Sequence, residues 1–148
     1  MSKSVESEAQ LPQRVKQFYV RISTERDAAL EELPKLYSQD VHFINPVVDQ
    51  HGLPAFEETW KKALRQYKVF EFKDVQVTGT NELFSLTYSM NIKFAIGPTF
   101  VTNMATDCHA KDGKIYLCRD YFDPLGTLVG PFGPINWLYK KIFSHLVA

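Results

Sequence analysis

Cysteine is scarce in this chain: Cys108 and Cys118 are the only two in 148 residues, and neither belongs to a Cys-x-x-Cys pair or another metal-ligand spacing. A disulfide scaffold and a zinc ribbon are both excluded. The four histidines, His42, His51, His109 and His145, are scattered and form no His-Glu-x-x-His motif, so a metal site would have to be assembled by the fold alone. Neither a metal nor a cofactor is expected. Net charge is missing as well, because seventeen basic side chains balance seventeen acidic ones. With no field to draw in a phosphate backbone, nucleic acid is not an expected partner. No run approaches the ~20 apolar residues of a bilayer span, and the leading MSKSVESEAQLPQ has no apolar signal-like core. These absences lead to the expectation of a soluble, cytoplasmic protein without a membrane span.

What remains is a chain with 45% hydrophobic residues and 14% aromatics, enough for one substantial core. Residues 1–10 read as a flexible N-terminus. Leu11, Val15, Phe18, Tyr19 and Ile22 then share one helical face. Leu30, Leu33, Leu36 and Tyr37 repeat at helical spacing around Pro34, which should break or restart the second helix. VHFIN reads as a strand, PVVDQHG as a turn-prone loop, and Phe56, Trp60, Ala63, Leu64 and Tyr67 as the apolar face of a third helix.

From Val69 onward the period changes from 3.6 to 2, through VFEFKDVQVTGT, LFSLTYSMNIKFAI, FVTNMATDCHA and KIYLCRDYFD. Helices followed by adjacent strands imply an α+β domain with a mainly antiparallel sheet. In the strand expected over 83–96, Phe84, Leu86, Tyr88, Met90, Ile92, Phe94 and Ile96 alternate with polar residues, so one face is buried. Residues 125–148 read as an extension: a Gly/Pro-rich connection, then an amphipathic helix packed on the domain or on a partner subunit.

Asp112-Gly113 is the clearest hairpin signal, since both central positions of a type I′ turn need positive φ. A regular ladder from that turn pairs Lys111 with Lys114, Asp107 with Cys118 and Ala105 with Asp120. Asp107, Tyr116, Cys118, Asp120 and Phe122 would then share a face, with the two carboxylates ~7–8 Å apart. Cys108 and Cys118 would lie on opposite faces, which forbids a disulfide between them.

The segment YSQDVHFINP, Gly52 ahead of the third helix, and DGKIYLCRDYFDP at the last hairpin stand in the order of the SnoaL-like group of the nuclear-transport-factor-2-like superfamily. The chain resembles that group over residues 11–124. The resemblance implies a cone-shaped, cystatin-like roll: a curved, mainly antiparallel sheet wrapped around N-terminal helices, with an apolar pocket inside. It also suggests a homodimer, here through exposed sheet surface.

Asp120 matches the water-activating aspartate of limonene epoxide hydrolases and Asn45 their water-positioning asparagine. Phe43 stands in place of a tyrosine, and Ser89 and Asn91 in place of an arginine and an acid. Against ketosteroid isomerases, Asp107 falls near the hydrogen-bond-donating carboxyl and Tyr19 or Phe18 near the helix-one tyrosine, while Asn45 replaces the proton-abstracting aspartate. A SnoaL-type cyclase needs chiefly one carboxylate in an apolar pocket, which Asp120 or Asp107 would supply. The expected catalytic residues are therefore Asp120, Asn45 and Asp107, and the expected ligand-binding residues Tyr19, Phe43, Trp60, Tyr116 and Phe122. The ligand is expected to be small and hydrophobic. Cofactor-independent hydrolase, isomerase or cyclase chemistry stands beside a non-catalytic binding or assembly module, and Arg119 and Asp123 read as a surface or subunit-contact pair.

Overall fold

Three irregularities in the strand ladders bend the sheet and decide which side chains face inward. The computed structural model describes residues 9–147, so residues 1–8 of the expected flexible N-terminus lie outside the described residues. Helix α1 (Leu11–Glu25) buries Leu11, Val15, Phe18, Tyr19 and Ile22, with Pro12 in its first turn, where no amide donor is needed. A 3-10 segment (Arg26–Glu32) leads into α2 (Leu33–Leu36), which restarts around Pro34 as expected. Arg26 donates to the carbonyls of Leu64 and Tyr67 at 2.6 and 3.0 Å, tying the end of α1 to the C-terminal end of α3 (Leu53–Gln66).

The strands are β1 (Tyr37–Asn45), β2 (Val48–His51), β3 (Val69–Gly79), β4 (Leu83–Lys93), β5 (Thr99–Lys111) and β6 (Lys114–Tyr121). They form one sheet in the order β2-β1-β6-β5-β4-β3, antiparallel except where β1 runs parallel to β6. This is the expected α+β architecture. The segment read as a loop after VHFIN is instead a hairpin, with Asn45 paired to Val48 around Pro46-Val47.

Each ladder irregularity has a local origin. In β3 the pairing shifts between Lys73 and Gln76, where Asp74 takes φ 54°. In β1 it shifts between Tyr37 and His42. In β6 it shifts just after the turn: Asp112 and Gly113 have the positive φ values of the expected reversal, and Lys111 pairs with Lys114. Tyr116 is then bulged out, so that His109 faces Leu117.

That extra residue overturns the regular register. Cys108 lies directly opposite Cys118, Asp107 opposite Arg119 and Asp120 opposite Thr106. Asp107 and Asp120 therefore occupy opposite faces of the sheet. The two cysteines share a face as buried free thiols, and the Cys118 thiol is pushed well up, first by its hydrogen bond with Cys108 and then by burial.

Strand β4 ends at Lys93, before Phe94 and Ile96, and Lys93 pairs with Thr99 across a bend containing Gly97 and Pro98. Its apolar residues thereby fall opposite Cys108, Thr106, Met104, Thr102 and Phe100, on the face of Asp120 and not of Asp107. That inner face packs on α1 and α3 to make the core.

The extension contains α4 (Pro124–Val129) and α5 (Gly133–Val147). Asp123 caps α4 by accepting from the Gly126 amide, and its other oxygen accepts from the Tyr139 hydroxyl of α5. These contacts hold the Asp123 carboxyl below its ordinary pKa, the Tyr139 bond contributing most. Apart from that tether α5 buries none of its residues, and Ile135, Leu138, Ile142, Phe143 and Leu146 are exposed. No helix among the described residues is long and apolar enough to cross a membrane.

Candidate active site

The inner face of the sheet, α1 and α3 line a cavity of about 170 Å³ that opens to solvent. Four of the five expected ligand-contacting residues line it: Tyr19 from α1, Phe43 from β1, Trp60 from α3 and Phe122 just after β6. Tyr116 does not, because the bulge turns it out to the exposed face beside Ser38 and Asp40. Phe56, Phe70, Phe72, Tyr88, Met90 and Met104 complete most of an aromatic and thioether wall. Of these, Tyr88 and Met90 were legible as one side of an alternating strand; the hidden fact was that this side faces Asp120.

Among the described residues, Asp120 is the only carboxylate lining the cavity. Its Oδ1 accepts a hydrogen bond from Thr106 Oγ1 at 2.6 Å, and Thr106 Oγ1 is 2.7 Å from the Tyr88 hydroxyl. Thr106 has a single proton to give, and with that proton committed to Asp120, Tyr88 is the donor to Thr106. The relay therefore points toward the carboxylate and engages Oδ1. Oδ2 is left as the oxygen available to the cavity.

Burial among aromatic rings raises the Asp120 pKa to about 7, against the opposing pull of the Thr106 hydrogen bond. Tyr88 and Tyr19 are also raised, burial being the largest cause for each and the Asp120 charge adding to it. Near neutral pH the cavity therefore holds one carboxyl group that exchanges its proton readily and tyrosines that stay protonated. Replacing Thr106 with valine removes the donor that favours the charged form. The expected result is an Asp120 pKa higher by about one unit or more, read from an NMR titration of its carboxyl carbon; an unchanged or lower midpoint would show that the relay does not tune this group.

Asn45 also lines the cavity, at the β1–β2 turn. Its Oδ1 accepts from the Val47 amide at 2.9 Å, which leaves the Nδ2 group as a donor. Asp107 is absent from this site: it lies on the outer face, where Ser85 Oγ donates to it at 2.6 Å. Ser89 and Asn91 alternate with the cavity-lining Tyr88 and Met90 and pair with Asn103 and Val101, so they too belong to the outer face.

Solved structures share this architecture. A protein of ketosteroid-isomerase-like fold from Catenulispora acidiphila, in complex with trimethylamine, aligns with a TM-score of 0.68 and 14% identity, covering 82% of this chain and 93% of its own. A proposed polyketide cyclase from Pseudomonas putida aligns with a TM-score of 0.67 and 21% identity over 82% and 96% of the two chains. A nuclear-transport-factor-2-like protein from Anabaena variabilis gives 0.64 and 14%, over 83% and 94%. No family model and no curated protein sequence matches the chain. At these identities the likeness establishes the fold alone: the chain has the α+β roll of these structures, a scaffold that does not by itself specify a reaction.

Proposed function

We propose that the chain is a cofactor-independent acid–base enzyme acting on a small apolar carbonyl compound, an isomerase or cyclase in reaction type. The observation that carries this is Asp120: one carboxyl group with a pKa of about 7 in an aromatic cavity. A general base works best when its pKa lies near the operating pH. Asp120 Oδ2 takes a proton from the carbon next to the substrate carbonyl, and the electron pair moves onto the carbonyl oxygen. Asn45 Nδ2 donates to that oxygen as its charge develops. The proton then returns to the same or a neighbouring carbon, or the enolate carbon attacks an electrophile within the same molecule.

Epoxide hydrolysis is less well supported. Ring opening uses a second acid to protonate the departing oxygen, and no second carboxyl group lines the cavity among the described residues. The test is exchange in D2O. Bicyclic aromatic ketones should gain deuterium next to the carbonyl faster in the presence of the protein than in buffer, and should raise its melting temperature by occupying the cavity. A ligand that raises the melting temperature without any exchange would support the non-catalytic binding module.

A homodimer belongs to the same proposal, with its contact relocated. The outer sheet face carries the exposed apolar residues Leu83, Val101, Tyr116 and Tyr121, and a greater number stand on α4 and α5, so the contact is placed on these helices. Light scattering should give twice the 17.0 kDa chain mass, reverting to the single mass in Leu138→Glu/Ile142→Glu. A wild-type monomer would exclude a second copy as the cover for α5.

A further inference from the structure

The β1–β2 hairpin, absent from the sequence-based element list, brings together side chains that stand nine residues apart. His42 and His51 are directly paired across it, and Asp49 pairs with Ile44, two residues from His42. Alternation along both strands puts His42, Asp49 and His51 on one face. The two imidazole rings stack with centroids 4.0 Å apart and planes 14° from parallel. Both present Nε2 to the same oxygen: Asp49 Oδ1 is 2.6 Å from His42 Nε2 and 3.7 Å from His51 Nε2. All three donor atoms lie within 4.8 Å of one another, and this is the only such trio among the described residues.

We propose that His42, Asp49 and His51 form a binding site for a divalent transition-metal ion, of the zinc class, with water completing the coordination. Tetrahedral Zn²⁺ with nitrogen and oxygen ligands at about 2.0–2.2 Å sets neighbouring donors roughly 3.3 Å apart. The two separations to Asp49, 2.6 and 3.7 Å, bracket that spacing, so side-chain rotation alone seats the ion and the strand backbone stays in place. Two imidazoles and one carboxylate suit Zn²⁺, Ni²⁺ and Cu²⁺ and disfavour Mg²⁺ and Ca²⁺, which require oxygen donors. His51 and Asp49 are 74% and 65% exposed, so the ion reaches the site without any opening of the fold.

The site has a structural consequence that does not depend on the chemistry of Asp120. The opposite face of the same hairpin carries Phe43 and Asn45, which line the cavity, and Gln50, which accepts from Thr59 Oγ1 at 2.7 Å. Strand β2 is the edge of the sheet and pairs with β1 alone. An ion held by His42 and His51 clips this edge to β1 and stiffens the wall of the cavity from behind.

Calorimetric titration of the metal-free protein with zinc chloride should show one site per chain with affinity in the micromolar range, and Co²⁺ in its place should give the visible absorption of a low-coordinate ion. His51→Ala should weaken binding by at least about tenfold, by analogy with the loss on removing even an outer-sphere partner, and His42→Ala/His51→Ala should remove it. Both positions are on the edge hairpin, so circular dichroism should match wild type, and His109→Ala should bind Zn²⁺ unchanged. No heat with Zn²⁺, Ni²⁺ or Cu²⁺, or equal affinity in wild type and His51→Ala, would overturn the assignment. Because the readout is binding alone, its failure is separable from any failure of the Asp120 chemistry.

Discussion

Asp120→Asn is expected to slow deuterium exchange by ~10²–10⁴-fold, the usual contribution of a positioned general base, while making the folded protein more stable above neutral pH. The two effects share one cause. Asparagine occupies the same volume and still accepts from Thr106, but it cannot take a proton and carries no charge to bury.

The sign of the stability change follows from the raised pKa. In the folded chain Asp120 keeps its proton up to about pH 7, whereas in the unfolded chain it releases it near the ordinary carboxylate value of about 4. Between those values the folded state binds more protons, so this group's contribution is complete below about pH 4 and is lost as pH rises through about 7. The shift of roughly three units corresponds to at most about 4 kcal/mol, an upper bound because the carboxylate faces a cavity that opens to solvent.

Denaturation of wild type and Asp120→Asn at about pH 8 should therefore favour the variant, with the gap closing toward about pH 4. Exchange by the wild type should climb as Asp120 ionises, with its inflection near pH 7. A variant that keeps wild-type exchange would remove Asp120 from the chemistry. A stability gap independent of pH would show that the carboxylate is not buried in the sense required.

Trp60→Ala should produce the largest loss of stability, about 3–5 kcal/mol, seen as a melting temperature lower by roughly 6–20 °C. Trp60 lies at the centre of an aromatic cluster, with ring centroids 5.2 Å from Phe18, 5.7 Å from Tyr19, 6.0 Å from both Phe70 and Phe72, and 6.2 Å from Phe56. The indole joins α3 to α1 and to β3 at once, so its removal leaves a hole bounded by three elements that cannot all close inward. It also lines the cavity. The variant should therefore tolerate bulkier ketones while binding small ones less tightly, and Trp60→Phe should recover most of the stability. A loss below about 1 kcal/mol would mean that the cluster is not the keystone of the core.

How much of the site was legible beforehand differs by residue. Tyr19 and Trp60 were identifiable because each belongs to a periodic apolar face, and any compact arrangement buries such a face, whereas Phe43 entered through the resemblance. Asp120 and Asn45 were singled out by resemblance, and the cavity receives both. Asp107 and Tyr116 were placed by extending a ladder from Asp112-Gly113. The turn itself forms as its residues require, but one unpaired residue beyond it inverts every later position. Thr106, which donates to Asp120, was hidden for the same reason. The regular ladder assigned it to the wrong face.

By itself the sequence determined the order and type of most elements, the restart at Pro34, the reversal at Asp112-Gly113 and the division of the strand that begins at Leu83 into an apolar and a polar side. Those are local matters of backbone geometry, side-chain period and burial. Only the tertiary structure decided which polar groups meet. The bulge at Tyr116 sends Asp120 inward and Asp107 outward, and the β1–β2 hairpin sets His42 against His51. In a sheet a shift of one residue costs little in local conformation yet exchanges the two faces, so contacts across strands depend on bulges that side-chain periodicity does not encode.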